Sequence, residues 1–194
     1  KNPQTCIIIG GGYGGLLCGA ILAKHGYQIT IIEKEKQLGG CLQSFAFEQQ
    51  LFDSCVHYIG SMDKGESLRT IFDYLGITPD LHLQQLAPKA FDTILIDDKM
   101  IPLAQGYERF EQQLAIHFPA EKSAIAHYIQ LVQDTCKQVP LFNLRMGHAA
   151  EKESITNLSI NEQFSILGLS EKLQHTLTGN SLLYAGEKDV TPFL

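Results

Sequence analysis

Apolar positions in this chain come in short runs punctuated by glycine, proline and small polar clusters, and their period changes along its length. Cys6 to Ile9 is a continuous apolar run of buried-strand type, ended by Gly10-Gly11-Gly12. Leu16 to Lys24 places Leu16, Gly19, Leu22 and Ala23 at the packing positions of a helix, which Gly26 ends as a C′ glycine does. Ile29-Thr30-Ile31-Ile32 is a second strand. The opening of the chain therefore predicts a strand–turn–helix–strand unit of βαβ type.

Further along, Cys41 to Phe47 has strand character, and Leu51-Phe52-Asp53 leads into Val56-His57-Tyr58-Ile59-Gly60. The turn formers Ser61 to Gly65 make a linker, and Glu66 to Leu75 carries Leu68, Ile71, Phe72 and Leu75 at helical spacing, with Gly76 as its stop. Phe91 to Ile96 and Met100 to Leu103 flank Asp97-Asp98-Lys99, which predicts a β-hairpin. Two helices follow, on either side of Pro119. One has the stripe Tyr107, Phe110, Leu114 and Phe118, and the other Ile125, Tyr128, Ile129, Val132 and Cys136; both stripes read as core. Residues 140–150 are apolar with a single arginine, and suit either an ordinary packed connection or a cover for a lipophilic channel or membrane surface. Residues 162–184 read as helical in two parts, with Ser170 as the N-cap of the second.

The chemistry sits in the first turn. Gly10-x-Gly12-x-x-Gly15 joins the first strand to the helix, and Glu33 closes the second strand. This is the dinucleotide-binding fingerprint in its proper context. Gly10 permits the tight turn, Gly12 lets backbone N–H groups approach a pyrophosphate, and Gly15 lets the helix lie close to the strand. The phosphate charge meets a helix N-terminus, and the acid meets a ribose hydroxyl. Glu33 also argues against a 2′-phosphorylated nucleotide, because two anions would repel there. A second doublet, Gly39-Gly40, follows the acid and shifts the expected cofactor from NAD to FAD.

Composition narrows the class. The 194 residues are 44% apolar and 19% charged, with a net charge of −6, which describes a globular protein without a basic footprint for nucleic acid. No apolar run approaches the length of a membrane span, and the chain opens directly on its first strand without a signal-peptide pattern. The five cysteines, at 6, 18, 41, 55 and 136, show neither a C-x-x-C pair nor a Cys/His metal spacing. Reduced thiols in a cytoplasmic protein are expected, with no metal site. Cys6 and Cys18 read as small packing residues. Cys41 directly follows Gly39-Gly40, beside the expected diphosphate.

Gly10 to Gly40 resembles the FAD-binding start of the phytoene desaturase and amine oxidase superfamily. Phe52-Asp53-Ser54-Cys55-Val56-His57-Tyr58-Ile59-Gly60 is similar to a segment of retinol saturases and their bacterial relatives. Residues 110–131, with His117-Phe118-Pro119 and Tyr128-Ile129, resemble a helical segment of the same proteins. The resemblance implies an α/β fold: a Rossmann-like FAD/NAD(P)-binding βαβ domain with a partial, mostly helical α+β substrate domain. It assigns residues 1–62 to the N-terminal part of the FAD-binding domain and 63–194 to the substrate domain, and makes the chain the N-terminal portion of a longer protein. It also implies that Gly10, Gly12, Gly14 and Gly15 line the pyrophosphate, that Glu33 meets the adenosine ribose with Lys34 beside it, and that Gly39, Gly40 and Cys41 pass the diphosphate. Val56 to Tyr58 would approach the flavin ring. Gln37 and Cys41 stand where many relatives carry basic residues, which removes positive charge near the phosphates.

The function implied is an FAD-dependent oxidoreductase acting by hydride transfer on C–C bonds of a lipophilic, carotenoid- or retinoid-like polyisoprenoid. A non-catalytic dinucleotide-binding fragment and an NAD-dependent dehydrogenase are the alternatives. No nucleophile–base constellation is visible. His57 is the single candidate proton donor, and a histidine satisfied by backbone is the equal alternative.

Overall fold

The computed structural model describes residues 3–56, 58–148, 159–187 and 189–193. The chain forms two compact units, Lys1–Leu81 and His82–Leu194.

The first unit is built on a parallel pair. β1 (Thr5–Ile9) lies beside β2 (Gln28–Ile32) in the register Thr5↔Gln28 to Ile9↔Ile32, connected by α1 (Tyr13–Lys24). Parallel neighbours need a crossover, and the helix supplies it. This is the Rossmann-like, α/β arrangement that the sequence predicts. The helix packs through Gly19, where an added Cβ would stand 3.3–3.4 Å from Ile8, Ile29 and Ile31. Those residues point to one face of the pair; Ile7, Ile9 and Ile32 point to the other and are exposed. The run is thus apolar on both faces but covered by α1 on one, because successive strand residues alternate sides. Cys18 also departs from expectation. It is exposed, since it sits one residue round the helix from Gly19 and faces away from the sheet.

After β2 the chain bends through Gly39 and Gly40, both at positive φ, into a 3-10 turn at Gly40–Leu42. The expected strand from Cys41 is thereby shortened to β3 (Ser44–Phe47), antiparallel to β4 (Gln50–Asp53), with Phe45 and Phe52 stacked across the pair at 5.5 Å between ring centroids. α2 (Ser67–Leu75) follows and stops at Gly76 in the left-handed conformation, φ 79°. It is tied to α1 by a Tyr74–His25 hydrogen bond of 2.9 Å, with Lys24 over the Tyr74 ring.

The second unit holds the buried core. β5 (Asp92–Ile96) and β6 (Lys99–Leu103) form the expected hairpin; Asp97 and Asp98 both take positive φ, as a two-residue turn of type I′ requires. α3 (Tyr107–His117), a 3-10 turn at Pro119–Glu121 and α4 (Lys122–Gln138) follow, then α5 (Ile160–Leu167) and α6 (Glu171–Leu177). Ile101, Leu114, Phe118, Ile125, Ile129, Phe164, Leu169 and Leu173 make one apolar cluster. Phe110, Leu114 and Phe118 of the first predicted stripe and Ile125, Tyr128 and Ile129 of the second reach it; Tyr107, at the first position of α3, is exposed, and Val132 and Cys136 are half-buried and lie outside the cluster. Tyr128 packs edge-on against Phe164 and Phe193, and burial pushes its phenol up to about 12. Ser170 caps α6 by accepting from the Leu173 N–H at 3.3 Å. A full capping box, Ser159 with Glu162, opens α5.

Candidate dinucleotide-binding turn

The end of β1 is fastened to the end of β2 by the Gly10 N–H, which donates to the Ile32 carbonyl at 2.8 Å. Gly10 then turns the chain at φ 101°, a conformation that side chains rarely adopt. Gly12, in extended backbone, is the N-cap of α1, and its carbonyl accepts from the Leu16 N–H at 2.9 Å. The helix begins at Tyr13, three residues earlier than its apolar periodicity indicates, so Gly14 and Gly15 lie within its first turn.

The glycines divide by what surrounds them. A Cβ on Gly15 would run into the carbonyl oxygen of Gly10 and crowd Ile8, so the fold itself demands glycine there. A Cβ on Gly12 or Gly14 would meet no atom of the described residues within 4 Å. The fold leaves that side of the turn open. Among the described residues no side chain caps α1, and its first turn holds no acid. The first N–H groups of a helix have no intrahelical partners, and the dipole makes this end favourable to an anion.

Glu33, the first residue after β2, reaches back to this turn. Its Oε2 accepts from the Gly11 N–H at 2.7 Å and its Oε1 from the Glu35 N–H at 3.0 Å. Those two donors, Glu35 first and Gly11 second, hold the carboxyl below its ordinary range. Lys34 extends into solvent and pairs loosely with Glu35 at 3.7 Å.

The second doublet lies directly on the first turn. The Gly39 N–H donates to the Gly11 carbonyl at 2.7 Å, Gly12 and Gly39 form a parallel bridge, and a Cβ on Gly40 would stand 3.2 Å from the Gly12 Cα. Gly10, Gly12, Gly14, Gly15, Glu33, Gly39 and Gly40 are thus brought together at the N-terminus of α1, and Cys41 follows on the exposed 3-10 turn. Gly11 is the residue that sequence reasoning missed. Its N–H serves Glu33, its carbonyl serves Gly39, and a Cβ there would strike the Leu38 side chain. The signal was available: three successive glycines exceed what the fingerprint needs. His57 lies outside the described residues; its neighbour Val56 is half-buried and Tyr58 is exposed. The described residues hold no group of three or more His, Cys, Asp or Glu placed for a metal ion, and no helix long and apolar enough to cross a membrane.

Residues 8–75 match the family model described as "NAD(P)-binding Rossmann-like domain". The chain is 33% identical over 138 residues to the human all-trans-retinol 13,14-reductase, covering 69% of this chain and 22% of the relative. It is 25% identical over 139 residues to a zebrafish (Danio rerio) protein named inactive all-trans-retinol 13,14-reductase, covering 70% and 23%. It is 28% identical over 109 residues to the 4,4'-diapophytoene desaturase (4,4'-diaponeurosporene-forming) of Staphylococcus haemolyticus, covering 54% and 22%. The chain therefore spans less than a quarter of the length of these relatives. Over that N-terminal part the chain carries an NAD(P)-binding Rossmann-like domain and is similar to retinol 13,14-reductases and a diapophytoene desaturase.

Proposed function

We propose that this chain is the dinucleotide-binding portion of an FAD-dependent oxidoreductase that acts by hydride transfer on C–C bonds of a lipophilic polyisoprenoid. The observation that carries the cofactor is the placement of Gly39-Gly40 against Gly11-Gly12, beside an open, uncapped helix N-terminus with Glu33 at its edge. The space beside Gly12 and Gly14 suits a diphosphate, and the residues present fit the adenosine half of FAD. The α1 N–H groups and the backbone of Gly12 and Gly14 would bind the diphosphate, Gly39-Gly40 would lie along it, and Glu33 would accept from a ribose hydroxyl with its remaining lone pairs. When bound, FAD supplies the hydride chemistry. The residues of this turn bind and orient; none of them is assigned a proton.

The substrate class rests on the relatives' names, which are those of retinol and diapophytoene enzymes. Exposed Leu141, Phe142 and Met146 belong to the same reading, as a peripheral contact with a membrane from which such a substrate would be drawn. One observation favours a second reading, dinucleotide binding without catalysis: a relative of similar coverage carries the word inactive in its name.

The test is the nucleotide itself. The full-length protein is purified, denatured, and the released cofactor identified by chromatography and mass. FAD is expected. A protein that releases only NAD, or that takes up no flavin on reconstitution, removes the proposal. Flavin-loaded protein that turns over neither retinoid nor carotenoid would support the non-catalytic reading.

A further inference from the structure

Residues of the second unit line a cavity of about 220 Å³: Lys99, Ile101, Ile116, His117, Phe118 and Lys172. Three elements build it. β6 starts at Lys99 and places Lys99 and Ile101 on one face, because alternate strand residues share a side. The end of α3 supplies Ile116, His117 and the C-cap Phe118, and the first turn of α6 supplies Lys172. Ile101 and Phe118 are 1% and 7% exposed and make an apolar floor continuous with the core cluster. Lys99 is exposed, and His117 and Lys172 are half-buried, so the basic side chains stand at the rim.

No acid lines the cavity. Asp97, in the hairpin turn, accepts from the Lys172 Nζ at 2.8 Å, which uses one of the three donors of that ammonium. Lys99 has no ion-pair partner among the described residues. Two lysine charges thus face one carboxylate and the roughly half negative charge at the C-terminus of α3. The balance is a small positive excess above an apolar floor. We propose that this cavity binds a small organic carboxylate, with its apolar body on Ile101 and Phe118, its carboxylate between the Lys99 and Lys172 ammonium groups, and His117 as a further polar contact. The volume lies below the roughly 300–1,000 Å³ of sites for drug-sized ligands, which limits the body to a single ring or a short chain. Inorganic phosphate has no apolar group to place on the floor and carries more charge than the excess offsets. The site lies within residues 99–172 and does not depend on which nucleotide the glycine turn binds.

Benzoate is the probe, with benzamide as its uncharged counterpart of the same shape. The purified protein is acetylated briefly with an N-hydroxysuccinimide ester in rising concentrations of each, at constant ionic strength. Modification of every lysine is then read by mass spectrometry. Benzoate is expected to protect Lys99 and Lys172 saturably and to leave Lys34 and Lys137, whose side chains are 88% and 67% exposed, unprotected. Benzamide and inorganic phosphate should protect neither cavity lysine. Lys99→Gln should raise the benzoate concentration for half-protection of Lys172 about tenfold, the worth of one charge-assisted hydrogen bond. Asp97→Asn, which a type I′ turn accepts, removes the competing carboxylate and should lower it. Protection of neither lysine, equal protection by benzamide, or parallel protection of Lys34 would each overturn the proposal. Half-protection unchanged in both variants would overturn it as well.

Discussion

Alanine at Gly15 and alanine at Gly14 should have opposite effects on stability, although the two residues are neighbours in the first turn of α1. An added methyl at Gly15 overlaps the Gly10 carbonyl oxygen and lies 3.2 Å from its carbon and 3.3 Å from Ile8 Cγ2. The obstructing atom is backbone, and it cannot simply rotate aside. Gly10 is pinned on its other side by the 2.8 Å bond from its N–H to Ile32. Relieving the overlap means moving α1 off the sheet or giving up that bond. Overpacking of this kind costs about 1–3 kcal/mol, and a lost hydrogen bond adds about 1 kcal/mol. The better helix propensity of alanine returns about 1 kcal/mol. Gly15→Ala should therefore destabilise by about 1–3 kcal/mol. Gly14→Ala meets nothing within 4 Å and keeps only the propensity gain, so it should be neutral or stabilising by up to about 1 kcal/mol. The assay is urea unfolding followed with a probe in the first unit, with the dinucleotide titrated into each folded variant. If Gly15→Ala is as stable as Gly14→Ala, the close helix–strand approach is wrong. If Gly14→Ala binds the nucleotide as tightly as wild type, the open side of the turn is not where the phosphates sit.

Three further perturbations test other parts of the argument. Glu33→Ala should weaken dinucleotide retention, while Glu33→Gln, whose amide oxygen can still accept from Gly11, should weaken it less; equal retention by all three proteins would remove Glu33 from the site. The Glu33 carboxyl is held down by the Glu35 and Gly11 N–H groups, so its stabilising contribution is complete above the unfolded value of 4.5 and is lost as pH falls through the lower folded value. The unfolding free energy of wild type should consequently fall more steeply than that of Glu33→Gln below about pH 5, and identical acid limbs would contradict this. In the second unit, Leu114 has 0% exposure at the centre of the apolar cluster, and Leu114→Ala should cost about 2–5 kcal/mol by denaturant unfolding; a loss under about 1 kcal/mol would mean that the cluster is not a packed core.

The legible part of this protein is what short-range stereochemistry dictates. Gly10 must turn at positive φ, Gly76 must stop a helix, and Asp97-Asp98 between two apolar runs must reverse the chain, because each demand falls on one or two residues and is written at the position it acts on. Helical stripes such as Leu114 with Phe118 and Ile125 with Ile129 are legible for the same reason, since a period of 3.6 residues is a local property. Tertiary structure decided what depends on a third element. Gly39-Gly40 could be counted in the chain, but only the fold lays it on Gly11-Gly12 and makes Gly11 the residue that serves both Glu33 and Gly39. Cys18 and Tyr107 carry apolar character and lie exposed, because a helix buries only the face its neighbours cover. Spacing along the chain determines which residues can take a conformation; which of them touch is settled by how the strands and helices are packed.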